Sequence, residues 1–166
     1  MTLALVALIV ILFAWYLSFS AARLDRLHHR VETSWEHLDA LLQRRAALAL
    51  EISHKTDLDP ATDLILMQSA YVSREEAIID RDDAERSLSE SLKFLRESAD
   101  SGEVSIFLPL LDELTALTEK IKLAIAIHLE AVNSVAKLRS RPIYRLFHLA
   151  GKAKLPKIYS FEEDVL

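Results

Sequence analysis

Two adjacent arginines, Arg44 and Arg45, are the residues whose type and spacing most invite chemistry. Arg45 falls at a heptad position otherwise held by Leu24, Val31, Leu38 and Ile52, so the pattern predicts a guanidinium facing an apolar core. A buried charge must be answered, because an uncompensated one costs several kcal/mol. Two answers are open. One is an ion pair with an acid on another helix, with Glu85, Asp112, Glu113 and Glu119 as candidates. The other is an anion or acidic partner held between helices. The ion pair is the plainer expectation.

The histidines suggest less. His28 and Glu32 are four apart and share a helical face, with His29 beside them, and Glu36 adjoins His37. Two ligands are too few for a metal, and no second histidine stands at the i+4 spacing of a zinc helix. The expectation is a solvated face and no metal. His128 lies in an apolar seam without a Ser or Cys nucleophile and paired acid near it in sequence, so it reads as a hydrogen-bonded core histidine. With no cysteine, disulfides, thiolate sites and cysteine nucleophiles are excluded. Two glycines, Gly102 and Gly151, cannot build a phosphate-cradling loop. Neither a catalytic residue nor a cofactor is expected.

Charge is unevenly spread. The net charge is −5, but Asp57 to Glu103 carries thirteen acids against five bases, and Val135 to Tyr159 carries seven bases and no acid. The basic stretch, with Tyr144, Phe147 and Tyr159 interleaved, has the composition of a nucleic-acid or lipid contact. An acidic, tethered chain argues against nucleic acid. The bland reading is packing across a distal loop near Asp57, Asp59 and Asp63.

The elements that position these residues are helices. Thr2 to Ala22 is uncharged, and at ~1.5 Å per residue it makes a rod of about 32 Å, close to the roughly 30 Å bilayer core. A signal peptide would want a basic n-region and a shorter apolar run before its cleavage site, so despite Ser18-Phe19-Ser20 an anchor is expected. Trp15 and Tyr16 suit an interfacial belt. Arg23, Arg26 and Arg30 after the span predict a cytoplasmic body and an N-terminus outside.

Helical spacing continues unbroken to Ile52, with Leu27, Leu41 and Leu48 at a second heptad position where Ser34 is the exception. Asp59-Pro60 predicts the start of a second helix, running to about Ser98 through the charged middle SREEAIIDRDDAERS. A third helix is expected from Val104 or Ile106 to Ser140, ended by Pro142, then a short fourth from Ile143 to Ala150. The fold class is therefore all-α: a transmembrane helix continuous with an antiparallel up-down bundle of three long helices plus a short C-terminal one. The expected organisation is an anchor at 1–22, a bundle at 23–151 and a tail at 152–166. In this up-down-up order the third helix ends about 50 Å from the bilayer.

Val31, Trp35, Asp39, Leu42, Arg44, Arg45 and Leu48 together resemble the first-helix pattern of the LemA family of bacterial membrane proteins. Ala84-Glu85 with Leu88 is similar to the family's second helix, and Leu114, Ile121, Ala124 and Val132 to its third, with Pro142 at its C-terminal end. The chain departs from the pattern at Ala21-Ala22, Leu50-Glu51, Ala124-Ile125 and His128-Leu129, as a divergent member would. The resemblance implies a membrane-anchored helical bundle and marks Trp35, Asp39, Arg44 and Arg45 as structural or partner-binding residues. The expected function is a scaffold or adaptor that presents helix faces to protein partners, including a second copy of itself. The competing expectation is a membrane-tethered enzyme or ligand sensor with a polar site near Arg45 and His128.

Overall fold

A computed structural model describes residues 1–55, 59–75, 81–99, 108–142 and 144. The chain is all-α: α1 Thr2–Lys55, α2 Pro60–Glu75, α3 Arg81–Ala99 and α4 Leu108–Arg139, with no strand among the described residues. α1 is the uninterrupted rod that the heptad pattern requires. Its first heptad position, Leu24, Val31, Leu38, Arg45 and Ile52, is buried throughout, and none of the five is more than 8% exposed. Its N-terminal part is long and apolar enough to cross a membrane, with a mean hydropathy of 2.4 over an 18-residue window, none of it buried.

Asp59 caps α2 as its sequence predicts. Its Oδ2 accepts from the backbone N–H of Ala61 at 3.2 Å and of Thr62 at 3.4 Å. Ser53 Oγ donates to the side chain of Asp63, tying the end of α1 to the first turn of α2. At the other end of the chain, α4 stops at Arg139, one residue short of the expected Ser140, because Pro142 disfavours a helical Arg141. The N–H of Tyr144 donates to the carbonyl of Arg141 at 3.1 Å, opening a new turn at Pro142. The rest of the expected short helix lies outside the described residues.

The expected second helix is two helices. α2 packs on α3, and Ser73 Oγ lies 2.6 Å from Glu85 Oε1. In one straight helix those residues would stand about 18 Å apart. The physical reason is the charged middle of the stretch. Between Arg74 and Asp83 only Ala77, Ile78 and Ile79 are apolar, too little to sustain a buried stripe. Folding back instead lets Leu66, Ala70 and Ser73 of α2, and Ala84, Leu88, Leu92 and Leu95 of α3, all become buried.

The chain divides into two compact units, residues 1–35 with the described residues from 127 onward, and residues 36–126. In the first, Leu24, Val31, Ala131, Val132, Val135, Leu138 and Tyr144 form one apolar cluster, with Leu27 packed against it. Ser34 meets His128, Arg30 meets Glu130, and Tyr16, Phe19, Ser20 and Arg23 line one cavity with Arg141, Pro142 and Tyr144. Rising numbers on α1 therefore face falling numbers on α4, and the two segments run antiparallel. This corrects the up-down-up order. The extra reversal between α2 and α3 changes the direction of the last long helix, so α4 ends beside the apolar part of α1 and not about 50 Å from it. In the second unit, Leu38, Leu42, Ala46 and Ala49 of α1 are buried, as are Leu114, Leu117, Ile121 and Ala124 of α4.

Candidate functional site

Arg45 is fully buried, and Glu85 is the acid that answers it. The arginine Nη2 donates to Glu85 Oε2 at 2.5 Å and to the Glu85 carbonyl at 3.3 Å, with both side chains 2% exposed. Ser73 Oγ donates to Oε1 at 2.6 Å, and Ser89 Oγ donates to the Glu85 carbonyl at 2.8 Å. Both side-chain oxygens of Glu85 are therefore engaged, Oε2 by the arginine and Oε1 by the Ser73 hydroxyl. Three helices meet at this one carboxylate: α1 through Arg45, α2 through Ser73, and α3 through Glu85 itself. Burial pulls the Arg45 guanidinium below its usual value, and the charge and hydrogen bond of Glu85 oppose that.

Arg45 Nε is also buried and has no acceptor among the described residues. The arginine forms part of the wall of a cavity of about 540 Å3, together with Ser89, Lys93, Arg96, Thr118 and Lys122. Glu90 and Glu119 line it too, and Lys122 lies 3.3 Å from Glu119. Much of the positive charge is therefore already balanced.

Arg44, one residue away, points to solvent and pairs with Glu113 at 2.7 Å. That hydrogen bond and charge hold its guanidinium above the ordinary value. Asp39 is half-buried on the same helix.

Trp35 belongs to the first unit, where its ring lies 5.6 Å from that of His128. His128 is buried, with Nδ1 2.9 Å from Ser34 Oγ. The Ser34 hydroxyl has one proton and spends it on the Val31 carbonyl at 2.8 Å. Nδ1 of His128 must therefore carry a hydrogen and donate it to Oγ. Burial lowers the His128 pKa below its ordinary 6.5, so the neutral ring is the folded form.

The sign of the resulting pH effect follows. Between the folded value and about 6.5 the unfolded chain binds a proton at His128 that the folded chain refuses, so stability falls as the pH drops below about 6.5. His128→Gln should flatten that part of the stability curve, as read from urea unfolding of the two chains between pH 5 and 7.5. Parallel curves would contradict the assignment.

Arg45 and His128 belong to different units, each with its own neighbours. His29 Nδ1 lies 3.9 Å from Glu32 at the surface. Among the described residues no group of three or more His, Cys, Asp or Glu side chains could hold a metal ion. Two functional features escaped the sequence reading. One is the Ser34–His128 pair, flagged only by Ser34 breaking a heptad stripe. The other is the Ser73 hydroxyl on Glu85, which no local pattern announces.

The fold and these contacts define an all-α helical bundle whose first helix is long and apolar enough to cross a membrane. No family model, no curated protein and no solved structure matches the chain.

Proposed function

We propose that this chain is a membrane-anchored scaffold of the LemA type that acts by presenting a helical surface to protein partners. In this reading α1 spans the bilayer once, its N-terminus lies outside, the body lies in the cytoplasm, and no reaction is catalysed. The observation that supports it is the outer face of the α2–α3 hairpin. Ile65, Val72 and Phe94 line a groove of about 470 Å3 there, and all three are exposed, Ile65 and Phe94 by more than half. Leu64 and Tyr71 are exposed on the same helix. Large apolar side chains held in the open beside a groove are the usual mark of a protein-binding surface. Gln68, Ser87 and Glu90 give it the polar edge such surfaces carry.

The buried network fits this role, since it makes a rigid base for the hairpin. A ligand-sensing role has one observation of its own, the Arg45-lined cavity, and the balanced charges there make it the second reading.

A photoreactive residue at Ile65 in intact cells should give a discrete adduct with one protein, or with a second copy of the chain. Phe94→Asp should cut its yield about tenfold, in keeping with the ~1.5–3 kcal/mol that burying such an anchor contributes. A smear without a discrete adduct, or a yield indifferent to Phe94→Asp, would overturn the scaffold reading.

A further inference from the structure

We propose that the end of α4 and the last turns of the apolar part of α1 form a binding site for the phosphodiester headgroup of an anionic lipid. The proposal rests on the reading that the apolar part of α1 crosses the membrane. The antiparallel packing of α1 and α4 puts Tyr16, Phe19, Ser20 and Arg23 around one cavity of about 290 Å3 with Arg141 and Tyr144. Among the described residues no carboxylate lines it.

The placement along α1 selects the ligand. Arg23 is the first charged residue after the uncharged stretch Thr2 to Ala22. A helix that buries that stretch in hydrocarbon sets Arg23 at the depth of the lipid phosphates. Sharing the cavity brings Arg141 to the same level, well within the reach of a phosphate charge whose screening length is ~8 Å. Two guanidinium forks suit the paired oxygens of a phosphodiester. The side chain of Arg26 also turns back toward this level, with Nε donating to the Ala22 carbonyl at 3.3 Å.

The site is braced and not merely a collection of surface groups. Tyr144 and Ser20 are buried, and Tyr144 belongs to the apolar cluster that clamps α4 on α1. The volume falls just below the ~300 Å3 at which pockets for whole drug-sized ligands begin. It has room for a headgroup, and the acyl chains would remain in the bilayer beside Phe19 and Trp15, whose rings lie 6.4 Å apart. Lys137 and Arg139 in the last turn of α4 stand close to the same level, where cationic residues are attracted by an anionic leaflet.

The test uses the full chain reconstituted into vesicles of phosphatidylcholine alone and of phosphatidylcholine mixed with phosphatidylglycerol. Resistance to alkaline extraction reports the span, and the ratio of the two lipids retained after mild detergent reports the site. The wild-type chain should resist extraction from both vesicles and retain phosphatidylglycerol preferentially. Arg141→Gln, which leaves the flank of the span untouched, should lower that preference about fivefold, and Arg23→Gln with Arg141→Gln should lower it further. Lys93→Gln with Arg96→Gln, which removes as much charge from another surface, should leave it unchanged. Extractable protein would overturn the span and the site with it. Stable insertion without lipid preference, or equal loss in the Lys93/Arg96 variant, would overturn the site alone. Release of the retained lipid by glycerol 3-phosphate would assign the cavity to soluble phosphate esters and overturn the lipid assignment.

Discussion

A Glu85→Leu chain should lose about 3–5 kcal/mol of stability, because it leaves the Arg45 guanidinium buried with no counter-charge. Arg45→Met should cost a similar amount by stranding the carboxylate. The informative chain is the double variant. Replacing both members of a buried ion pair with apolar residues removes two desolvation penalties along with one attraction, and such exchanges are often neutral or stabilising. Ser73 would lose its acceptor, but a buried serine can turn to a carbonyl of its own helix, as Ser69 does to Leu66 at 3.0 Å. Arg45→Met with Glu85→Leu should therefore recover most of what either single change loses. Urea unfolding in detergent, followed by far-ultraviolet circular dichroism, reads all four corners of this cycle. A double variant as unstable as the sum of the singles would show that the pair is not one coupled unit. The cycle also separates two roles for Arg45. A stable double variant shows that the charge is not needed for the fold, and its retention in the natural chain then concerns pairing specificity or the adjoining cavity.

Much of this was legible because helical periodicity is a strong local signal. The extent of α1, the burial of Arg45 in a seam of Leu, Val and Ile, the Asp59 cap and the stop before Pro142 all follow from residue types at fixed spacing. What stayed hidden depends on pairs distant in sequence. Ile78 and Ile79 continue the helical spacing across the charged stretch, and neither Gly nor Pro marks a turn there, so periodicity alone reads through the reversal. That one reversal then decides which acid reaches Arg45, since it is the hairpin that brings Ser73 and Glu85 together. The two polar interruptions of the α1 seam, Ser34 and Arg45, prove to be alike in kind. Each is answered from a distant helix, by His128 and Glu85 respectively, and neither partner could be chosen until the direction of the chain was known.

The direction of α4 is itself open to a nearly all-or-none test. Arg30 Nη2 lies 3.8 Å from Glu130 Oε1, with both side chains more than half exposed. The chain has no cysteine of its own, so Arg30→Cys with Glu130→Cys introduces one reactive pair. The salt bridge given up is a solvent-exposed one of the kind that contributes little to stability. A short bismaleimide should join the two thiols within one chain in high yield, giving a species that migrates faster under denaturing electrophoresis. If α4 instead ran parallel to α1 from the membrane outward, position 130 would lie 22 residues beyond the start of α4 at 108. It would then stand about 20 Å along the axis from position 30, out of reach of a short linker. Failure to link would thus restore the up-down-up order and remove Arg141 and Tyr144 from the level of Arg23. Success would keep the end of α4 at the boundary where the apolar part of α1 gives way to its first charge, which is the geometry a headgroup site needs.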